Sequence, residues 1–277
     1  MNRFKNSVAV ITGAGSGIGR QLSLQLAQAG ANLAIVDINA DSLESTEALI
    51  VAQGHQVRVL KSAFDVADNR AMCAFAQDTQ AYFGQVNLVI NNAGVALSSG
   101  SLWETSLDDF QWLMGINFNG VLYGTKAFLP FLEQSQWGHI VNVSSLFGLI
   151  SAPEQAHYNA SKFAVRGLTE SLRQELELAQ SHISCTAIHP GGIKTGIASH
   201  ARVSKELDAH NKFIRDNFET IAMTTAESAA KQILHGVLKN KRRVVIGKDA
   251  KLLDWTQRLF PNQYQRVYQW FINMAVT

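Results

Sequence analysis

Seven short apolar runs recur along the chain, and segments with the period of a helix separate them. The runs have the length of strands and cover residues 7–12, 32–37, 56–61, 87–91, 139–144, 184–189 and 243–247. Strands that are apolar on both faces and alternate with helices are typical of a parallel sheet that is covered on both sides. The pattern therefore predicts an α/β fold built on a seven-stranded parallel sheet.

Six segments with helical period lie between or beside these runs, at residues 18–29, 40–53, 68–83, 106–134, 157–180 and 226–239. Asn39 or Asp41 could cap the second helix, and Gly30, Gly54 and Gly84 are placed to end the first three. The sequence therefore sets the helix boundaries as well as the strands.

No Pro- or Gly-rich linker divides the 277 residues, so we expect one domain over residues 1–250 and an extension over residues 251–277. Residues 191–225 are polar and helix-like without a regular strand, which makes them a candidate lid over a site. Within the extension, large apolar side chains could cover a substrate pocket, pack on a second subunit, or lie on a membrane surface, and packing is favoured. They are Trp255, Leu259, Phe260, Val267, Trp270 and Phe271.

Charge and cysteine content exclude several classes of protein. The net charge is only +2, and the one basic cluster, residues 239–243, falls between a helix and a strand, where a solvated turn is favoured over a nucleic-acid site. Cys73 and Cys185 have neither a CxxC pattern nor a His partner at metal spacing, so we expect buried free thiols in a reducing compartment and no metal site. The first residues lack the apolar stretch of a signal peptide, and no apolar window reaches the roughly 18 residues of a spanning helix. We therefore expect a cytoplasmic protein.

A glycine-rich segment, TGAGSGIG at residues 12–19, joins the first predicted strand to the first predicted helix. Gly13, Gly17 and Gly19 allow a tight turn and a close backbone approach, so that amide groups at the helix N-terminus can face a pyrophosphate. The spacing differs from the G-x-G-x-x-G fingerprint, and a glycine-rich strand end also serves as a plain turn. Taken alone, the segment leaves both interpretations open.

Asp37 ends the second predicted strand, 18 residues beyond Gly19. A carboxylate at this place can accept hydrogen bonds from both ribose hydroxyls of adenosine and would repel a 2′-phosphate. Ser16 and Ile38 supply no positive charge for such a phosphate. The sequence therefore favours NAD(H) over NADP(H), and the alternative role of Asp37 is to cap a helix.

Tyr158 and Lys162 stand four residues apart in the segment AHYNASKFAV. If residues 157–180 are helical, the two side chains lie on one face of the helix. Such a pair taken at random is usually surface packing. Because an ammonium favours a neighbouring phenolate, Lys162 is expected to lower the pKa of Tyr158.

Together, the ordered motifs of this chain resemble the short-chain dehydrogenases/reductases in their single-domain form. The motifs are TGAGSGIG at 12–19, Asp65 in FDV, NNAG at 91–94, Asn117 in INFNG, VNVSS at 141–145, YNASK at 158–162 and HPGGIKT at 189–195. They span about residues 7–247, which is most of the chain. The resemblance implies a Rossmann-type, doubly wound sheet with helices on both faces.

The resemblance also implies a catalytic set of four residues. Tyr158 would be the general acid when a carbonyl is reduced and the general base when an alcohol is oxidised. Ser145, 13 residues before Tyr158, would hold the substrate oxygen, and Ser144 fits this role less well. Lys162 would also bind the nicotinamide ribose, while Asn117 would anchor a water next to Lys162.

For the dinucleotide, the resemblance implies that Asp65 takes the adenine amino group and that the backbone of Ile193 suits the nicotinamide carboxamide. Besides Tyr158 and Lys162, the residues expected to contact the cofactor are Gly13, Ser16, Gly17, Ile18, Gly19, Asp37, Asp65, Val66, Asn91, Ala93, Gly94, Pro190, Gly191, Ile193 and Thr195. His157 and His189 are interpreted as structural or pocket-lining residues.

The residues expected near a substrate are mostly apolar, although these positions could equally belong to the core: Val95, Ala96, Leu97, Leu146, Phe147, Leu149 and Ile150. This lining predicts an oxidoreductase that interconverts a secondary alcohol and a ketone on a hydrophobic skeleton. A 3-oxoacyl-thioester reductase of the same family is an alternative, against which Asp37 and the extension count. A dinucleotide-binding regulatory protein without turnover is another, although such a protein would be expected to lose Tyr, Lys or Ser from the set. The resemblance implies a homodimer or homotetramer with contacts through residues 106–134 and 157–180.

Overall fold

The computed structural model describes residues 2–98, 100–203 and 222–266. Its strands are β1 (Val8–Thr12), β2 (Asn32–Asp37), β3 (Val59–Ala63), β4 (Leu88–Asn91), β5 (Leu97–Ser98), β6 (Gly138–Val143), β7 (Ile183–Pro190), β8 (Ile193–Lys194), β9 (Arg202–Val203), β10 (Thr224–Thr225) and β11 (Arg243–Ile246). Its α-helices are α1 (Gly17–Gln28), α2 (Ala40–Ala52), α3 (Asn69–Phe83), α4 (Leu107–Met114), α5 (Gly120–Glu133), α6 (Ala156–Leu178), α7 (Ala226–Leu238) and α8 (Lys248–Leu259).

Seven strands form one parallel sheet in the order β11-β7-β6-β4-β1-β2-β3, which confirms the predicted α/β fold. The third apolar run enters the sheet later than predicted, because the N–H of Arg58 is bonded to the Asn32 side chain and the β2–β3 ladder starts only at Val59. From β1 the chain builds outward to β3, then returns to the other side of β1 with β4. This reversal opens a crevice at the carboxyl ends of β1 and β4, where ligands of such sheets bind.

Alternate side chains of the buried strands enter two separate cores, one on each face of the sheet. In β1, Ala9 and Ile11 pack with the apolar faces of α1, α2 and α7, whereas Val10 packs with those of α3, α5 and α6. Because successive side chains of a strand point to opposite faces, continuous apolar runs are what a doubly covered sheet requires.

The predicted ends of the first three helices agree with the structure. Asn39 caps α2 by accepting a hydrogen bond of 3.0 Å from the N–H of Ser42, so Asn39 and not Asp41 is the cap. Gly30, Gly54 and Gly84 follow α1, α2 and α3 with positive φ angles. Glycine adopts this backbone conformation without a steric cost, which is why it ends these helices.

The segment predicted as one helix over residues 106–134 is interrupted. A π-helical turn, Gly115–Asn119, separates α4 from α5. Such turns insert an extra residue into a helix and are frequent at functional sites. Here the turn carries Asn117, whose side chain is fully buried.

The sequence predicts no regular strand over residues 191–225, and the strands in the described part of this range are only two residues long. Two-residue pairings give their backbone groups partners: β8 pairs with β10, and β9 pairs with β5. Most of the candidate lid, residues 204–221, lies outside the described residues, as do Val267, Trp270 and Phe271 of the extension.

The two cysteines differ in burial. Cys185 is buried as predicted, but Cys73 is exposed, because the inward stripe of α3 is formed by Met72, Phe75, Ala76 and Thr79.

The basic cluster, residues 239–243, forms the turn between α7 and β11, in which Arg242 pairs with Glu177 at 2.8 Å. Within residues 2–98, 100–203 and 222–266, no cluster of three or more metal-ligating side chains occurs. Nor does any helix in these ranges have the length and apolar content needed to cross a membrane.

Candidate active site

Most of the predicted site residues follow the carboxyl ends of neighbouring strands. The glycine segment follows β1, Asp37 ends β2, residues 65–66 follow β3, residues 91–94 end and follow β4, Ser145 follows β6, and residues 190–195 end and follow β7. Since the sheet is parallel, these ends lie along one edge. The first two turns of α6 add Tyr158 and Lys162.

The glycine turn leaves no room for larger residues. A Cβ on Gly13, whose φ is +65°, would lie 2.9 Å from Cα of Ala93, so this glycine lets the turn pack on the end of β4. A Cβ on Gly17, whose φ is +50°, would lie 3.1 Å from a methyl carbon of Thr195. The turn therefore brings residues 13–19, Ala93 and Thr195 together, as a cofactor site in the crevice requires.

The N-terminus of α1 is arranged to receive an anion. The N-cap residue, Ser16, makes no side-chain capping hydrogen bond, and Gly17, Ile18 and Gly19 form the first turn. Amide groups at a helix N-terminus carry partial positive charge and bind phosphate groups. The described residues thus fit the pyrophosphate of a dinucleotide.

Asp37 holds the glycine turn with its carboxylate. Its Oδ2 accepts a hydrogen bond of 2.9 Å from the N–H of Gly15, and its Oδ1 accepts one of 3.1 Å from the N–H of Asn39. A carboxylate has about four acceptor positions, so two remain for ribose hydroxyls. Asp65 is used in a similar way by its own loop, since its Oδ1 accepts a hydrogen bond of 2.9 Å from the N–H of Ala67.

The end of β4 is fixed by side chains of the NNAG motif. Asn92 donates hydrogen bonds to the carbonyls of Thr12 and Gly13, at 2.9 and 3.2 Å, and thereby joins β4 to the glycine turn. The side chain of Asn91 is buried and donates to Asn142 and Thr125, at 2.8 and 3.1 Å. Only the backbone of Asn91 is therefore placed to border a cofactor, and Asn92 is a positioning residue that the sequence analysis missed.

Tyr158 and Lys162 lie on one face of α6, as their spacing predicts. The Lys162 Nζ lies 5.5 Å from the centroid of the Tyr158 ring and donates a hydrogen bond of 3.2 Å to the carbonyl of Val143. A Cβ on Gly94 would lie 3.4 Å from this Nζ and 3.3 Å from Oδ1 of Asn117. Gly94, Asn117 and Lys162 are thus immediate neighbours.

The expected lowering of the Tyr158 pKa is not found in the chain itself. Burial raises the pKa of Tyr158 to about 12, and a hydrogen bond with the Ser145 side chain acts in the opposite direction. Burial also lowers the pKa of Lys162 to about 8. The Lys162 ammonium lies over the ring and is bonded to Val143, which agrees with its small influence on the phenol oxygen.

The two neighbouring serines have different surroundings. Ser144 is buried, and its hydroxyl donates a hydrogen bond of 2.8 Å to the carbonyl of Lys162. Ser145 is partly exposed, accepts a hydrogen bond from the N–H of Phe147 at 3.1 Å and reaches Tyr158. The geometry therefore favours Ser145 over Ser144 as the residue that meets a substrate.

Asn117 binds the segment that follows β4. Its Oδ1 accepts a hydrogen bond of 2.8 Å from the N–H of Val95, and its Nδ2 donates one of 3.0 Å to the carbonyl of the same residue. These two bonds use half of the four hydrogen-bonding positions of the amide. The side chain of Asn117 therefore fixes Val95, and it lies beside Lys162 through Gly94.

Histidines on both sides of the site support it structurally. Nδ1 of His189 donates a hydrogen bond of 3.0 Å to the carbonyl of Ser145, so this nitrogen carries the proton. Burial lowers the pKa of His189 to about 4, which keeps the ring neutral. His157 is buried and donates from Nε2 to the carbonyl of Leu97 at 3.1 Å.

The residues predicted to line a substrate pocket differ in burial. Leu97, Leu149 and Ile150 are buried in the fold, whereas Val95, Ala96 and Phe147 are partly exposed. The Phe147 ring stands edge-on to the Tyr158 ring at 6.2 Å between centroids. An apolar wall thus stands directly beside the phenol.

The C-terminal extension supports this wall. Leu253 and Tyr264 pack in one cluster with Leu146 and Ile150, and the N–H of Ser151 donates a hydrogen bond of 3.2 Å to the Tyr264 phenol oxygen. Sequence reasoning assigned no role to Tyr264, and no local motif marks it.

Asp249, in the first turn of α8, holds the loop after β7. Its Oδ2 accepts a hydrogen bond of 2.7 Å from the N–H of Gly192, and a Cβ on Gly191 would lie only 2.6 Å from its carboxyl carbon. The loop of residues 190–195 therefore depends on a carboxylate that the sequence analysis did not single out.

Comparisons with known proteins identify relatives over most of the chain. A family model described as short chain dehydrogenase matches residues 7–206. A Mycobacterium tuberculosis protein named as the oxidoreductase SadH is 46% identical over 267 residues, which cover 96% of this chain and 95% of the relative. A cyclohexanol dehydrogenase of an Acinetobacter strain is 35% identical over 210 residues, which cover 76% of this chain and 82% of the relative. The solved structure of a short chain dehydrogenase/reductase from Burkholderia phymatum in complex with NAD has a TM-score of 0.85 and 31% identity, and the match covers 93% and 95% of the two chains.

Proposed function

The chain belongs to the short-chain dehydrogenase family of oxidoreductases, and from this membership we propose that it interconverts a secondary alcohol and a ketone on a hydrophobic skeleton, with NAD(H) as cofactor. The observation that carries the proposal is the meeting of Tyr158, Ser145 and Lys162 at the carboxyl edge of the sheet, beside the glycine turn. The dinucleotide supplies the hydride when it is bound.

Tyr158 is the proton donor and acceptor of the proposed reaction. During reduction its phenol gives a proton to the carbonyl oxygen, and during oxidation it takes one from the alcohol. The Ser145 hydroxyl is close enough to Tyr158 to bind the same substrate oxygen. Lys162 and Asn117 lie behind this pair next to Gly94, where they can pass protons and hold the nicotinamide ribose.

Asp37 supports the preference for NAD(H) over NADP(H). Its carboxylate stands at the end of β2 with free acceptor positions for the ribose, and a 2′-phosphate beside it would meet a negative charge. Measuring kcat/KM with NADH and with NADPH tests this directly. Replacing the acid in Asp37→Ser is expected to reduce the ratio of the two values by at least tenfold, and a wild-type preference for NADPH would contradict the role of Asp37.

The apolar wall supports a hydrophobic substrate. Phe147 covers one side of the phenol, while Val95 and Ala96 remain partly exposed after the end of β4. The cyclohexanol dehydrogenase to which the chain is similar acts, by its name, on an alicyclic secondary alcohol.

We further propose that residues 1–250 form the catalytic domain, that residues 191–225 form a lid, and that residues 251–277 form an extension that borders the pocket.

Assembly and location are part of the proposal. A homodimer or homotetramer would use α4, α5 and α6, since these helices form one outer layer of the sheet. A cytoplasmic location suits the exposed thiol of Cys73, which a reducing compartment keeps free.

The test is a screen of ketones and secondary alcohols followed through the absorbance of NADH, repeated with Tyr158→Phe. We expect the variant to bind NADH, measured by fluorescence, while turnover falls by roughly 100-fold or more because proton transfer is lost. A 3-oxoacyl-thioester reductase would instead turn over thioesters and leave simple ketones untouched. Binding of NADH without turnover of any substrate would favour a regulatory protein and contradict the proposal.

A further inference from the structure

Helix α8 has two apolar faces. Ala250 and Leu253 face inward and pack with Leu146 and Ile150 beside the site. Leu252, Trp255 and Leu259 follow the spacing of one helix face and are 50%, 67% and 61% exposed. Phe260, directly after the helix, is 56% exposed and extends this second face.

The charged side chains of α8 also differ between its inner and outer faces. The acids are turned inward: Asp249 binds the N–H of Gly192, and the buried Asp254 pairs with Arg243 at 3.3 Å and with Arg258 at 3.1 Å. Lys248 and Lys251 are exposed, and Arg258 is half exposed. The outer face of α8 is therefore apolar along its centre, with Lys248 at its N-terminal end and Lys251 and Arg258 along one side.

We propose that this outer face, defined by Leu252, Trp255, Leu259 and Phe260 with Lys248, Lys251 and Arg258, docks on the surface of a bilayer that contains anionic lipids. An amphipathic helix that combines Trp, Leu and Phe with basic margins lies in the plane of a membrane, with its apolar side chains among the acyl chains. The basic residues contact lipid phosphates. The proposal concerns binding alone and does not depend on the reaction.

Charge decides between a bilayer and a second copy of the chain. An isologous contact of this face would bring Lys248, Lys251 and Arg258 of both copies into one interface, since both copies use one patch. Like charges brought together in this way oppose association. An anionic surface is complementary to the same residues.

The placement of α8 gives the docking a consequence for the site. The inner side of the helix contacts the wall that follows Ser145, so the bilayer would lie about one helix diameter, roughly 10 Å, from that wall. An apolar ketone or alcohol dissolved in the membrane would then be presented next to the pocket.

The experiment is flotation of the full chain with vesicles of phosphatidylcholine alone and with vesicles that contain equal parts of phosphatidylcholine and phosphatidylglycerol. We expect the protein to float with the anionic vesicles, and the bound fraction to fall as salt is added. The double variant Trp255→Ser with Leu259→Ser is expected to reduce binding by roughly tenfold or more, because two large apolar side chains are lost. Lys248→Gln with Lys251→Gln should weaken binding to anionic vesicles only.

The matched control is Trp103→Ser, which removes a tryptophan that is 96% exposed but lies outside α8. It should bind vesicles as the wild type does. NADH affinity and the unfolding temperature of every variant report whether the fold is intact. Absence of flotation, or binding lost equally in Trp103→Ser, overturns the proposal; so does a double variant whose only effect is a smaller mass in sedimentation, because the face would then join two copies.

Discussion

The backbone N–H of Ser151 donates a hydrogen bond of 3.2 Å to the phenol oxygen of Tyr264, across 113 positions of the sequence. Ser151 ends the segment that starts at Ser145 and includes Phe147, the apolar neighbour of Tyr158. The position of the apolar wall beside Tyr158 is therefore set partly by the C-terminal extension.

The first prediction concerns this bond. Tyr264→Phe keeps the ring in its cluster and removes the acceptor, at a cost of about 1 kcal/mol in the free energy of unfolding. Because the wall after Ser145 is loosened, we expect KM for the ketone to rise several-fold while the affinity for NADH stays unchanged. Steady-state kinetics measure the first and fluorescence titration the second. The exposed Tyr82 supplies the control, and an equal effect of Tyr82→Phe would remove the assigned role from Tyr264.

The second prediction concerns Asp249, whose loss should weaken the binding of the cofactor. Asp249 holds Gly192 in the loop that carries Ile193 and Thr195, so Asp249→Ala should weaken NADH binding on the order of tenfold, as expected for loss of a hydrogen bond to a charged acceptor. Asp249→Asn retains an acceptor oxygen and should recover most of the affinity. If kcat fell in both variants while NADH bound normally, Asp249 would not be a positioning residue for the cofactor loop.

The third prediction separates the two serines. Ser145→Ala should lower kcat by roughly 100-fold or more because the hydroxyl proposed to meet the substrate oxygen is lost, and it should lower the free energy of unfolding by about 1 kcal/mol because the Phe147 N–H loses its acceptor. Ser144→Ala removes a buried hydrogen bond to the Lys162 carbonyl and should lower the free energy of unfolding by about 1 kcal/mol with a smaller loss of activity. Kinetics and urea unfolding of both variants decide the matter, and a larger kinetic defect in Ser144→Ala would reverse the assignment.

The fourth prediction is a loss of stability in mild acid. Burial lowers the pKa of His139 to about 3 and that of His189 to about 4, so the unfolded chain binds their protons more readily than the folded one. Stability is thus full above the unfolded pKa of about 6.5 and is lost as the pH falls toward the folded values. At pH 5 each histidine should have cost roughly 2 kcal/mol of unfolding free energy relative to neutral pH.

Urea unfolding at pH 7 and pH 5 measures this loss. His189→Asn should show a smaller difference between the two conditions than the wild type, and His235→Asn, which changes an exposed histidine of α7, should not. Equal pH dependence in His189→Asn and the wild type would contradict the assignment.

The strands and the candidate site residues that belong to short sequence motifs could be predicted from the sequence alone. The seven strands were visible because a doubly covered sheet makes its strands apolar throughout, and Tyr158, Lys162 and Ser145 were visible through spacing within ordered motifs. Asp249 and Tyr264 were not, because each acts on a backbone N–H 57 or 113 positions away and stands in no motif. The raised pKa of Tyr158 in the chain itself could not be predicted from the sequence, because burial, its largest cause, depends on the packed fold.

The order of synthesis along the chain determines when the distant contacts of Asp249 and Tyr264 can form. A nascent chain that has completed β7 already holds the glycine turn, Ser145, Tyr158 and Lys162, but the loop of residues 190–195 and the segment ending at Ser151 still lack Asp249 and Tyr264. Domains are generally completed as units during synthesis. The proposed catalytic groups of this chain are therefore synthesised early, and Asp249 and Tyr264, which hold the two neighbouring segments, are synthesised only after β11.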